Sequence, residues 1–231
     1  MTSGELVAFT DDDVRVPAGW LETIASVARR YPDAACYGGP VMPEWTTPAP
    51  AWLTEEQWIA LGVQDHSREP FRADSTHQVC LIGANLIIRR PALARVGPFD
   101  PAVQRVGNGI GSTEDHEYHL RLWDAGYHGV YDPSLTVGAI VSDERLAKGY
   151  HRKWHFGHGR HIARMRLPDV EQSRFRLLGI PAHLLRQFAA DVRQGIASAV
   201  RREPARAFER ELRLWFTAGF IRERLRNRVA G

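Results

Sequence analysis

The spacing of apolar residues changes character partway along the chain of 231 residues. In the first stretch short apolar runs alternate with amphipathic segments. Leu6 to Thr10 reads as a short buried strand, and Pro17 opens an amphipathic helix to about Arg30, with Trp20, Leu21, Ile24, Val27 and Ala28 at helical spacing. Ala34 to Val41 has the composition of the next strand. Pro43 to Pro50, rich in Pro, Thr and Trp, reads as a surface loop. Val79 to Arg89 is a second strong strand signal, followed by a short helix after Pro91 and a Gly-rich stretch from Gly97 to Ser112. Helix returns over Glu114 to Ala125, with Tyr118, Leu122 and Ala125 on one face and Gly126 as its stop. Short strands near Gly129 to Tyr131 and Leu135 to Val141 close this part.

From Asp143 onward the period is helical. Leu185, Phe188, Ala189, Val192 and Ile196 form one apolar stripe, and Phe208, Leu212, Trp215 and Gly219 another, with Arg on the remaining faces. The pattern predicts an α/β domain over residues 1–142 and a helical extension over 143–231 packed on it.

Composition narrows the class. A hydrophobic fraction of 44% is that of an ordinary globular protein. The longest nearly apolar run, Val79 to Ile88, is about half of the roughly 20 residues a bilayer-spanning helix needs, and no basic segment followed by an apolar one opens the chain; neither a transmembrane helix nor an export signal is expected. Cys36 and Cys80, the only cysteines, lie in apolar strand-like segments, which suits buried free thiols in a reducing, cytoplasmic compartment.

Charge is unevenly distributed. Residues 1–142 carry 10 basic and 18 acidic side chains, net −8, and residues 143–231 carry 20 and 9, net +11. An acidic front suits cation-mediated handling of an anionic substrate; a basic tail suits phosphates, nucleic acid or an anionic membrane surface.

The acidic triplet Asp11, Asp12 and Asp13 follows the first strand, where ligands collect in open α/β sheets. In an extended segment alternate side chains point the same way, so Asp11 and Asp13 can face one ligand. Two carboxylates with the oxygens of a substrate diphosphate suffice for Mg2+ or Mn2+. An acidic turn capping the helix at Pro17 fits the same residues. Glu114 and Asp115 form a second cluster where a loop enters a helix; the helix dipole alone favours carboxylates there, with Ser112 or Thr113 as cap.

Three segments taken in order, FTDDDVRVPAGWL, GANLIIRRPALARVGPFD and STEDHEYHLRLWDAGYHGVYDP, resemble the second half of a family 2 glycosyltransferase with a GT-A fold. The resemblance implies a mixed, mostly parallel sheet. It matches Asp11 and Asp13 to the DxD positions that hold a divalent ion and the donor's ribose or diphosphate, with Asp12 between them. It matches Asp115 to the second residue of the ED pair, the general base for the acceptor hydroxyl, beside Glu114. Gly83, Ala84 and Asn85 match a strand lining the acceptor side. The implied reaction is metal-dependent transfer, with inversion, from a nucleotide diphosphate sugar to a glycan or lipid-linked acceptor of the cell envelope.

Two departures stand out. The family's nucleotide-binding strands normally precede the DxD by roughly a hundred residues, the scale of a domain, so a fragment, a mis-started reading frame or a split enzyme is expected. A His that often completes the metal site is replaced by Ala139, and His151, His155, His158 and His161 lie nearby, with Gly157 and Gly159 arguing against a regular helix there. Arg152 and Lys153, before Trp154, faintly resemble the RW element of processive members and could clamp a diphosphate; a solvated basic helix end fits equally. Trp45, Trp52 and Trp58 suit either sugar stacking or loop packing. The Arg-flanked stripes suit an interfacial helix pair on the inner face of the cell membrane, or a pair docked on the catalytic domain. A nucleic-acid module built on the tail leaves the acidic clusters unexplained, so no nucleic acid is expected; a metal-dependent phosphohydrolase is the remaining rival.

Overall fold

The computed structural model describes residues 3–101, 103 and 113–229. Most of the Gly-rich stretch, and Ser112 as a cap, lie outside the described residues. Two units separate by their internal contacts: one of Met1–Thr46, Leu61–Pro101 and Glu114–Val141, the other taking in Thr47–Ala60 and the chain from Ser142 onward.

The first unit contains β1 (Leu6–Phe9), β2 (Val14–Arg15), α1 (Trp20–Arg30), β3 (Cys36–Gly38), β4 (Val41–Trp45), β5 (Phe71–Ala73), β6 (Leu86–Arg89), α2 (Arg90–Val96), α3 (Glu114–Asp124), β7 (Gly129–Tyr131) and β8 (Val137–Val141). A five-stranded sheet has the order β1-β6-β3-β7-β5, and a three-stranded sheet the order β2-β8-β4. The expected mixed α/β class is present. Its parallel part is smaller than expected: β3 with β7 and β4 with β8 are parallel, and the other ladders are antiparallel. Strand and helix alternation does not report direction, because a parallel neighbour needs a crossover and several connections here lack one.

β1, expected as a buried strand, is half-buried at the end of its sheet, paired with β6 alone. β6 holds the centre of the core: Leu86, Ile87 and Ile88 are fully buried. Covered on both faces, each contributes about 1.5–3 kcal/mol of burial. The strand expected from Val79 is shorter at its front, because Gly83–Asn85 turns as a 3-10 helix before β6 begins. The expected strand Ala34 to Val41 is likewise two strands, broken at Gly39; a Cβ there would sit 2.6 Å from the Asp132 carbonyl oxygen. β4 then enters the expected Pro-rich loop, and Pro43 is tolerated because β4 ends its three-stranded sheet.

α1 starts three residues later than Pro17, after Gly19 at φ 80°, with no side-chain cap. The acidic triplet therefore does not cap it. α3 matches its expected bounds closely and stops at Gly126, φ 80°, whose N–H donates to the Trp123 carbonyl while that of Tyr127 donates to Leu122.

The second unit contains α4 (Lys148–Met165), α5 (Pro168–Glu171), the hairpin of β9 (Arg176–Leu177) and β10 (Ile180–Pro181), α6 (Ala182–Val200) and α7 (Pro204–Val229). α4 is continuous through Gly157 and Gly159, contrary to expectation, and the reason is packing. A Cβ on Gly159 would fall on the Phe216 carbonyl oxygen, and one on Gly219 would fall on that of Phe156. The backbones of α4 and α7 thus touch at two reciprocal glycines. The two predicted stripes have different fates: Phe208 and Leu212 of α7 are buried, whereas Ile196 on the α6 stripe is largely exposed. Among the described residues no helix is long and apolar enough to cross a membrane.

Candidate active site

Asp115 stands in the first turn of α3. Facing it is the 3-10 turn that precedes β6, closed by the Asn85 N–H donating to the Ile82 carbonyl at 3.0 Å. The first residue of that turn, Gly83, donates its backbone N–H to Oδ2 of Asp115 at 3.0 Å. A Cβ at position 83 would lie 2.9 Å from Asp115 Oδ1, so any other residue there displaces the carboxylate. The far end of the turn is pinned by the fully buried Asn85, whose Nδ2 donates to the carbonyls of Pro40 and Leu135. Asn85, expected on the acceptor side, is thus engaged with backbone on the side-chain atoms that donate.

The electrostatics of this corner favour a proton acceptor working near neutral pH. Burial pushes the Asp115 carboxyl up to about 7; the Gly83 N–H opposes the shift, and the charges of Glu114 and Asp11 add to it. Asp11, far away in sequence, is therefore within electrostatic reach of Asp115. Oε2 of Glu114 is buried with no hydrogen-bond partner among the described residues. Cys80 shares the corner: burial, then the charges of Asp115 and Glu114, hold its thiol well above the ordinary value. Sequence reasoning had given Cys80 only a packing role. It also passed over His66, whose ring meets the Cys80 backbone and Gln64 Oε1 (3.1 Å), and whose pKa burial lowers. Neither residue belongs to a recognisable motif, so no sequence signal marked them.

The acidic triplet occupies the turn between β1 and β2. The Val14 N–H donates to the Asp11 carbonyl at 3.3 Å, so the backbone bends and the strand-alternation argument for Asp11 and Asp13 does not apply. Asp11 and Asp12 are exposed and Asp13 is half-buried. The Asp13 carbonyl accepts from the Ile140 N–H at 2.9 Å, joining the triplet to β8. In this register Ala139 lies opposite Val14, one residue from Asp13, and its buried methyl offers no ligand where the family often has a His. Among the described residues no group of three or more His, Cys, Asp or Glu side chains could hold a metal ion. A pair of carboxylates on one turn suits an ion that completes its shell with substrate oxygens and water.

The remaining residues singled out in the sequence lie in the second unit. Arg152 is bound to Glu211 through Nε (2.6 Å) and Nη2 (3.2 Å) and rests over the Phe208 ring, while Lys153 is exposed. His151 is buried with Nε2 on the Arg145 carbonyl, and His158 stacks on Trp154 with ring centres 4.7 Å apart. Burial lowers His151 and His155 to about 4. Trp52 packs edge-on against His151 and Phe208, which is the loop-packing role.

The site thus combines a carboxylate of raised proton affinity, set on a helix start against a glycine turn, with a second acidic turn within electrostatic reach. The chain belongs to the glycosyl transferase family group 2, whose family model matches residues 6–202. It is 25% identical over 144 residues to the glucosyl-dolichyl phosphate glucuronosyltransferase of Haloferax volcanii, covering 62% of this chain and 45% of that protein. It is 27% identical over 190 residues to the succinoglycan biosynthesis protein ExoM of Rhizobium meliloti, covering 80% of this chain and 52% of that one. The chain thus spans about half the length of these curated relatives. A crystal structure of GalNAc-T7 with UDP, GalNAc and Mn2+ aligns with a TM-score of 0.41 at 17% identity, over 71% of this chain and 35% of that one.

Proposed function

We propose that the chain carries the acceptor-activating part of an inverting glycosyltransferase, acting on a lipid-linked or cell-envelope glycan with a nucleotide diphosphate sugar as donor. The observation that carries this reading is Asp115, lifted to about 7 and held by the Gly83 N–H beside Asp11. Asp115 takes the proton of the acceptor hydroxyl as its oxygen bonds to the anomeric carbon; the bond to the diphosphate breaks, and the electron pair leaves with the diphosphate. The Gly83 N–H fixes the carboxylate's orientation, and Glu114 keeps its proton affinity high. Asp11 and Asp13 would hold Mg2+ or Mn2+ and the donor's ribose or diphosphate, with Asp12 between them on the substrate side. The bound ion would supply charge stabilisation for the leaving diphosphate.

Residues 1–142 form the catalytic part in this reading, and 143–231 a basic extension that meets an anionic surface at the inner face of the cell membrane, with Arg152 and Lys153 towards phosphate. The names of the two relatives, one acting on a dolichyl phosphate and the other in succinoglycan synthesis, support acceptors of this class. The test is transfer from a panel of nucleotide sugars to a polyprenyl phosphate glycan, comparing the native chain with Asp115→Asn. Loss of transfer with donor binding retained is expected; equal turnover removes Asp115 from its role.

A further inference from the structure

The hairpin of β9 and β10 and the α6 stripe that follows it leave an apolar surface uncovered within the second unit. Phe175 is 81% exposed, Leu177 61% and Leu178 56%, and further along α6 Ile196 is 63% exposed and Val200 78%. Leu178 and Gly179 turn the hairpin with φ 53° and 81°. Both values are positive, as in a type I′ turn, where Asn or Asp is the residue of choice and a large aliphatic side chain is unfavourable. Turn chemistry therefore does not explain a leucine there.

The α6 stripe runs along the helix beside the face that packs on α7 through Leu184 and Asp191. At 100° per residue Leu185, Ala189, Val192, Ile196 and Val200 share one side, with Arg186 and Arg193 along its border. Charge on this segment is one-sided. Residues 172–202 contain six arginines and a single acidic residue, Asp191. That aspartate is buried and paired with Arg210 at 3.2 Å, so it does not offset the arginines at the surface. Arg174, Arg186, Arg193, Arg201 and Arg202 are all exposed.

We propose that the hairpin tip and the outer stripe of α6 form a monotopic docking surface for an anionic lipid bilayer. Phe175, Leu177 and Leu178 enter the boundary between headgroups and acyl chains, α6 lies in its plane, and the bordering arginines meet lipid phosphates. A second copy of the chain is a poorer occupant, because the same arginines would oppose one another across the contact. The α7 stripe takes little part, since Phe208 and Leu212 are buried and only Trp215 is partly exposed. This surface deepens the proposed role of residues 143–231 at an anionic membrane and rests on that reading, but it is independent of the transfer chemistry at Asp115.

The test is flotation of the full chain with vesicles of phosphatidylcholine alone and with about 30% phosphatidylglycerol, an anionic fraction that gives the negative surface potential the arginines need. Binding to the anionic vesicles that weakens with salt is expected. The combined variant Phe175→Ser, Leu177→Ser and Leu178→Asn should bind at least about tenfold more weakly while melting as the native chain does. Arg186→Glu with Arg193→Glu, which touches no buried group, should weaken binding to the anionic vesicles only. Asp115→Asn should float as the native chain does, so failed transfer and failed docking are told apart. Absence of binding by the native chain, undiminished binding by the tip variant, or a native dimer that the tip variant dissociates would each overturn the proposal.

Discussion

Gly83 and Asp115 are separated by 32 residues, yet the backbone N–H of one donates to the carboxylate of the other at 3.0 Å, with no room for a side chain between them. The contact couples the shape of a turn to the orientation and proton affinity of the candidate base. Changes on either side should be felt on the other.

Gly83→Ala places a methyl 2.9 Å from Asp115 Oδ1. The carboxylate must swing aside, and misplacing a catalytic group by a fraction of an ångström to one ångström typically costs about 10- to 100-fold in rate. The expected result in steady-state kinetics is a fall in kcat with donor KM nearly unchanged.

The pH dependence follows from the same residue. A base must be deprotonated to act, so kcat/KM should rise about tenfold per pH unit below the midpoint near 7 and level off above it. The stability effect has the opposite sign. The folded chain keeps the Asp115 proton up to about 7, against 3.8 for an unperturbed Asp carboxyl, so stability is fullest below the lower value and is lost as pH rises through the window between them. Asp115→Asn preserves an acceptor for the Gly83 N–H and removes the buried charge. Thermal melts at pH 8 should show it more stable by about 1–3 kcal/mol, a difference that vanishes near pH 4.

Asp11→Asn and Asp13→Asn test the cation. Each should lower transfer by about 100-fold or more, in the range expected when charge stabilisation of a leaving group is lost. EDTA should abolish transfer by the native chain, and Mg2+ or Mn2+ should restore it. Titration of Mn2+ with a nucleotide diphosphate present and absent should show binding strengthened by the nucleotide, because two carboxylates leave most of the shell to substrate oxygens.

Asn85 is a stability position. Asn85→Leu removes the amide that holds the Pro40 and Leu135 carbonyls and leaves both without that donor. The Pro40 carbonyl keeps the Val137 N–H at 3.0 Å, so the cost falls mainly on the Leu135 carbonyl, and a loss of about 1–3 kcal/mol is expected by denaturant unfolding.

Much of the first unit was legible because its signals are local. α3 carries an acidic first turn and a glycine stop, and β6 is an unbroken apolar run; each fixes its own conformation. The family motifs single out Asp11, Asp13 and Asp115 as candidates from equally local patterns. What stayed hidden depends on partners distant in the chain. Gly83 and Asn85 looked like strand because only contact with Asp115, Pro40 and Leu135 makes them a turn. The direction of β5 and β6 is likewise set by pairing, not by their own residues. The stripes of α6 and α7 are alike on a helical wheel, and the close approach of α4 to α7 at Gly159 and Gly219 is a feature neither stripe reveals. Those glycines were misjudged as helix breakers because propensity acts within a helix and close approach acts between two.

Reciprocal placement of Gly159 and Gly219 has a geometric outcome. Sliding α7 along α4 by one turn would take Gly219 away from the Phe156 carbonyl and set a residue with a Cβ in its place. The observed register is the one in which both glycines meet a carbonyl, like a key with two notches. α6, packed along α7, inherits that fixed bearing and presents its arginine-bordered side as part of a rigid platform rather than a swinging arm.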